Sequence, residues 1–316
     1  MQSRFRSDRR LTVRMGLTLF LLGLLYVGFV AALIVLLKSW VLVAVLIGAL
    51  FVAQFWFSDR IAMFAMRGRV VERAEYPGLH AVVDRLCALA DLPKPVVAVS
   101  EMDMPNAFAT GRSADHAVVC VTTGLLRRLE PAELEGVLAH ELAHVRHKDV
   151  AVITIASFLG VVAGLIVRFA FYSQVFGGGR RDQNTAAVLA AVLGVSAAVY
   201  AISFLLIRAL SRYRELAADR AAALLTGRPS ALAAALTKVS GEIARIPTKD
   251  LRTAQAFNAF YFTPATGREG GIERFFATHP SLEQRLAQLG RISAELGEAA
   301  APKGPAPGTG TSGKAG

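Results

Sequence analysis

The sequence predicts a mainly α integral membrane protein with four transmembrane helices and a soluble α+β part built on a small β-sheet. Three observations predict it. Hydrophobic residues make up 54% of the chain and charged residues only 19%, against about 25% charged in an ordinary soluble domain. The apolar excess is gathered in four uncharged blocks. Between and after those blocks the sequence returns to the mixed pattern of a soluble domain.

The elements follow in order. Residues 1–14 form a basic segment with Arg4, Arg6, Arg9, Arg10 and Arg14. Residues 15–37, "MGLTLFLLGLLYVGFVAALIVLL", carry no charge and are long enough to cross a bilayer. Residues 40–57 form a second block with a Trp/Phe-rich end, as membrane interfaces favour. Only Lys38 and Ser39 separate the two, so 15–57 reads as a helical hairpin. The first block is too long for a cleaved signal peptide, and a second span follows at once. Blocks three and four, 150–167 and 186–207, make a second hairpin over 150–207. Four such blocks favour membrane spans over a buried hairpin of a soluble protein.

Arginines set the orientation. They precede the first span, follow the second (Arg60, Arg67, Arg69, Arg73) and follow the fourth (Arg208, Arg212, Arg214). Four crossings place all three groups, and both termini, on the cytoplasmic side. Arg180 and Arg181 then face outward, against the trend.

The segment 58–149 reads as cytoplasmic. "YPGLHAVVDRLCALADL" is an amphipathic helix with Leu79, Val82, Val83, Leu86 and Leu89 on its apolar side. "PVVAVS" and "HAVVCVTT" read as strands. Pro131 suits the first turn of the helix "PAELEGVLAHELAHVRHKD". Residues 208–296 read as a second cytoplasmic part, helical with a loop near 247–271. Residues 297–316 are rich in Pro, Gly, Ser and Ala and read as a disordered tail. The two cysteines, Cys87 and Cys120, make no disulfide framework and read as buried fillers. The net charge of +11 lies beside the apolar blocks and no nucleic-acid-binding motif accompanies it, so no nucleic-acid partner is expected.

His140-Glu141-Leu142-Ala143-His144 is an HExxH motif. Residues four apart share a helix face, so both imidazoles can reach one metal ion, and Glu141, one position on from His140, can contact a metal-bound water rather than the metal. His147 extends the stripe, but about 10 Å of axial rise separates it from His140. Ligands of one tetrahedral zinc lie within roughly 3.5 Å of one another. His147 therefore reads as a last-turn residue interacting with the helix dipole. The third ligand comes from elsewhere. "HVRHKD" lacks the Gly and further His that would continue the motif on the same helix. "LSRYRELAADRAAALL" supplies Glu215, with Asp219 one turn on to accept a hydrogen bond from a ligand histidine. His144 lies six residues before the third span and Glu215 eight after the fourth. An antiparallel hairpin returns the chain to the same membrane face.

"PNAFATG" (105–111), "HELAHVRHKD" (140–149), "SRYRELAAD" (211–219) and "THPSLEQR" (278–285) together resemble the HtpX-type membrane zinc metalloproteases, relatives of the CAAX prenyl endoprotease. The likeness covers roughly residues 15–295. It implies a zincin-like catalytic domain on the cytoplasmic side and an endopeptidase acting in quality control of unfolded or membrane proteins. It implies one Zn²⁺ per chain on His140, His144 and Glu215, and Glu141 as general base. His279 and Asn106 match positions that help bind substrate or stabilise the oxyanion; Arg285 matches the motif without a defined role.

On this reading Glu141 takes a proton from water and passes it to the leaving amine. His279 adds a hydrogen bond to the developing oxyanion. The strand near 116–121 presents an edge to an extended substrate. A CAAX-type protease acting on prenylated peptides is an alternative, as is a membrane adaptor with a structural zinc. A protease with its motif inside the bilayer fits poorly, because Glu133, Glu135, Arg146, Lys148 and Asp149 surround HExxH.

Overall fold

The structure, a computed structural model, describes residues 9–37, 40–111, 113–176, 183–245 and 279–300. The linker arginines Arg180 and Arg181, the expected loop near 247–271 and residues 301–316 lie outside the described residues.

In chain order the elements are α1 (Arg9–Leu37), α2 (Trp40–Ala65), β1 (Gly68–Val70), α3 (Pro77–Ala90), β2 (Val96–Ser100), β3 (Ala107–Thr110), β4 (Val118–Thr122), α4 (Thr123–Arg128), α5 (Pro131–Arg146), α6 (Asp149–Phe176), α7 (Gln183–Thr226), α8 (Pro229–Arg245) and α9 (Leu282–Ala300). The architecture is mainly helical with one small mixed sheet. Since α9 runs to Ala300, the first four residues of the expected disordered tail are helical.

Each apolar block lies in a long helix. Among the described residues, Val13–Leu36 and Ala186–Thr226 are long and apolar enough to cross a membrane; shorter apolar stretches, Val43–Ala53 and Ala156–Arg168, lie in α2 and α6. The four helices share one packed cluster of Phe29 and Leu33 from α1, Val43 from α2, Phe158 from α6, and Val192 and Val199 from α7. Their outer faces are apolar too. Phe20, Val27, Val45, Leu165, Ile202 and Leu205 are all exposed, a surface that lipid tolerates and water does not.

The sheet runs β1-β2-β4-β3, with β2 and β4 parallel and both outer pairings antiparallel. The central strands are the two that the sequence predicts. The outer pair, of three and four residues, are too short to show alternation. This order corrects one expectation. β4 is hydrogen-bonded on both sides, so the strand near 116–121 cannot offer an edge; β3 does. Thr122 N–H donates to the Asn106 carbonyl at 2.9 Å. Alternation along an antiparallel pair then turns the main-chain groups of residues 106, 108 and 110 toward β4 and those of Ala107 and Ala109 outward.

Gly111 ends β3 at φ +132, and a Cβ there would lie 2.2 Å from the His116 carbonyl oxygen. Both conditions demand glycine. Gly111→Ala should cost more than about 2 kcal/mol and lower the melting temperature, read by thermal unfolding in detergent; an unchanged midpoint would show that the turn relaxes freely.

The soluble core lies between the sheet and helices α3, α5 and α8. On α3, Leu79, Val83, Leu86 and Ala90 are buried, spaced as one helical stripe. Leu89 is not part of it. It lies about 90° round from the stripe's centre and is 51% exposed. Both cysteines are buried, unpaired thiols.

Candidate metal centre

Helix α5 begins at Pro131, where Glu133 accepts the Glu130 N–H at 2.8 Å. Three turns on, it presents His140 and His144 from one face. Helix α7 crosses that face at an alanine contact of Ala143, Ala218 and Ala221. Methyl-sized side chains let two helices approach closely, which carries Glu215 to the two histidines. "HELAH" (140–144) and "ELAAD" (215–219) thus supply the donors together with Ala143 and Ala218, two of the small residues that let them meet.

The donors form a tight triangle. His140 Nε2 and His144 Nε2 are 3.1 Å apart. Glu215 Oε2 lies 3.5 Å from the first and Oε1 3.4 Å from the second. A tetrahedral zinc with bonds of about 2.0–2.1 Å has edges of roughly 3.3–3.5 Å, so the set fits such an ion. The charge also fits. Buried Glu141, Asp149, Glu215 and Asp219 face buried Arg214 and Arg285. With the carboxylates ionised and the imidazoles neutral, as metal ligation requires, two negative charges are left for a divalent cation to balance.

Each histidine is held from behind. His140 Nδ1 is 2.9 Å from Asp219 Oδ1. Arg285 grips Asp219 bidentately, Nε to Oδ2 at 2.7 Å and Nη2 to Oδ1 at 2.6 Å, and places Nη1 3.8 Å from Glu215 Oε2. This gives Arg285, wholly buried, a position that its motif alone does not define. His144 Nδ1 is 2.5 Å from Asp149 Oδ2, and Asp149 Oδ1 is ion-paired with Arg214 Nη2. Sequence reasoning missed both Asp149 and Arg214. An Asp five residues past a ligand is on the wrong side of an unbroken helix; only a left-handed residue, Lys148 at φ 55, turns it back.

Glu141 is 4% exposed, and burial raises its pKa against the opposing pull of His140 and His144. The Ala109 N–H is bonded to its carboxylate, so the candidate base touches the open sheet edge. Burial works against a charged His140 ring, but the Asp219 and Glu215 carboxylates outweigh it and raise its pKa. His279 Nδ1 lies 3.1 Å from Glu215 Oε2, within the same cluster. Asn106 immediately precedes β3, its N–H donating to Thr122 Oγ1 at 2.8 Å. His147 caps α5 and is outside the ligand triangle. Lost hydration and the charges of His144, Arg214 and Arg146 pull its pKa to about 4. The residue stands at the end of α5, where the sequence places it.

Residues 73–293 match the model of peptidase family M48. The chain belongs to peptidase family M48. Its M48 relatives place it in the HtpX branch. It is 86% identical over 302 residues to protease HtpX homolog 1 of Streptomyces coelicolor, covering 96% of this chain and 99% of that protein. Protease HtpX homolog of Moorella thermoacetica is 51% identical over 94% of this chain and 99% of its own length. Protease HtpX homolog 2 of Methanosarcina mazei is 48% identical over 94% and 100%. The fold resembles the crystal structure of S. mikatae Ste24p, with a TM-score of 0.51 at 18% identity over 89% of this chain and 67% of that one. The chain is therefore an M48 metalloprotease of HtpX type, with apolar helices suited to membrane association.

Proposed function

We propose that this M48 protein is a multi-pass endopeptidase of the cell membrane, with four crossings and its site at the cytoplasmic face. It cleaves unfolded or damaged membrane proteins, using one zinc ion held by His140, His144 and Glu215. The observation that carries this reading is the His–His–Glu triangle beside a buried glutamate that touches the open sheet edge.

The ion, when bound, supplies a Lewis acid that acidifies water and polarises a peptide carbonyl. The chain's own residues do the rest. With the Ala109 N–H engaged by Glu141, the outward-facing main-chain groups of Ala107 and the Ala109 carbonyl pair with an extended substrate strand, which selects backbone shape over sequence and so suits unfolded clients. Glu141 takes a proton from water and returns it to the leaving amine. Its burial raises its basicity toward that of water activated near neutral pH. His279, already beside Glu215, supports the developing oxyanion. Asn106 fixes the start of the edge strand through Thr122, and so the height at which a substrate carbonyl meets the site. Asp219 and Arg285 hold His140.

Detergent-purified protein should degrade casein, lose that activity to a chelator and regain it on zinc add-back. Activity that survives complete metal removal would overturn the reading. A prenylated peptide run beside casein separates the two substrate classes: preference for the prenylated peptide would replace the unfolded-protein assignment.

A further inference from the structure

Both imidazoles of the HExxH pair are backed by a three-part arm, a ring Nδ1 on a carboxylate that faces a buried arginine, hydrogen-bonded bidentately for Asp219 and ion-paired for Asp149. His140 has Asp219 and Arg285. His144 has Asp149 and Arg214. We propose that Asp149 and Arg214 are positioning residues for the metal, a clasp that fixes the His144 ring with Nε2 toward the ion and ties that ring to the packing of helices α6 and α7. The proposal rests on the ligand set given above.

Three observations carry it. The clasp is sealed from water, with Arg214 2% and Asp149 6% exposed; a buried charge pair of this kind holds one geometry, since neither partner can turn to solvent. The backbone is bent to build it. In a continuous helix the residue five on lies about 140° round the axis. Here α5 stops at Arg146, Lys148 takes the left-handed conformation, and α6 starts at Asp149. That break returns the carboxylate to the ring it would otherwise face away from. Finally, the clasp joins the two roots of the apolar hairpin. Asp149 is the first residue of α6, and Arg214 immediately precedes Glu215 on α7. Helix α7 thus supplies a ligand at 215 and an arm for each histidine, at 214 and 219. Separation of α6 from α7 would release His144.

The test reads zinc affinity of the full chain in detergent, by competition with a chromogenic chelator. Asp149→Ala and Asp219→Ala should each weaken binding by about 10–100-fold, the usual effect of losing an outer partner. Arg214→Met should weaken it comparably, Arg214→Lys should recover most of the loss, and the double variant with Asp149→Ala should be no worse than either alone. Parent-like affinity in Asp149→Ala beside a loss in Asp219→Ala would overturn the clasp, as would independent, multiplying losses for Asp149 and Arg214. Should Asp149→Ala fail to fold, Asp149→Asn carries the test in cobalt-loaded protein: a shifted visible spectrum with weaker binding supports the clasp, and a parental spectrum and affinity overturn it. His144→Ala is the control for the ligand set. Full affinity there would overturn both the ligand set and the clasp, whereas loss there with parent-like Asp149→Ala overturns the clasp alone.

Discussion

Glu141→Gln should abolish casein cleavage while zinc stays bound at the parental stoichiometry. The two side chains have the same shape, and the amide oxygen still accepts the bond from Ala109. What is lost is the basic lone pair. General-base catalysis is worth about 10²–10⁴-fold, and a group that both takes and returns the proton should cost near the upper end, so a fall of about 10³-fold or more is expected. The His–His–Glu triangle does not use this carboxylate, which separates catalysis from binding. The variant should also melt no lower than the parent. An uncharged amide is easier to bury than a carboxylate, and Glu141 is 4% exposed. Near-normal proteolysis by the purified variant would remove Glu141 from the mechanism; loss of zinc would move it into the ligand set.

The parts of this molecule that were legible in its sequence are those whose signal is local or periodic. Four uncharged blocks mark four long helices, and alternation marks the two central strands. HExxH and the Glu215-to-Asp219 spacing are single-turn patterns that need only one helix each to be recognised. What escaped depends on partners distant in the chain or on one unusual dihedral. β1 and β3 are three and four residues long, and only their pairing makes them strands. The edge position of β3 follows from a strand order that no residue announces. Leu89 reads as part of the apolar side of α3, yet lies a quarter-turn from the buried stripe. Asp149 shares no helical face with His144; a positive φ at Lys148 creates that contact. Arg285 stands alone in sequence, 66 residues from the Asp219 that explains it.

Glu215→Ala should release the metal altogether. Deleting an outer partner costs about 10–100-fold in affinity. Deleting one of three ligands should cost more than about 100-fold, leaving zinc well below one ion per chain by elemental analysis. The Glu215 carboxylate also lies near four cationic or ionisable neighbours, His279 at 3.1 Å, His144 at 3.4 Å, His140 at 3.5 Å and Arg285 at 3.8 Å. Its removal leaves Arg285 facing one carboxylate instead of two in a site closed to water, so the variant should also melt lower, by several degrees for a loss of about 2 kcal/mol. Glu215→Gln separates these effects. It keeps the shape and removes the charge, so metal should still fall while packing around Ala143, Ala218 and Ala221 persists. Unchanged zinc content in both variants would take Glu215 out of the ligand set. The comparison also tests why one helix of 44 residues runs unbroken from the apolar segment into the site. Glu215 lies eight residues past the apolar block that ends at Ile207. No loop intervenes to absorb a shift of the helix. A ligand on such a rod is positioned by the packing of its apolar segment against α1 and α6, and a substitution there that tilts α7 should lower zinc affinity without touching a donor atom.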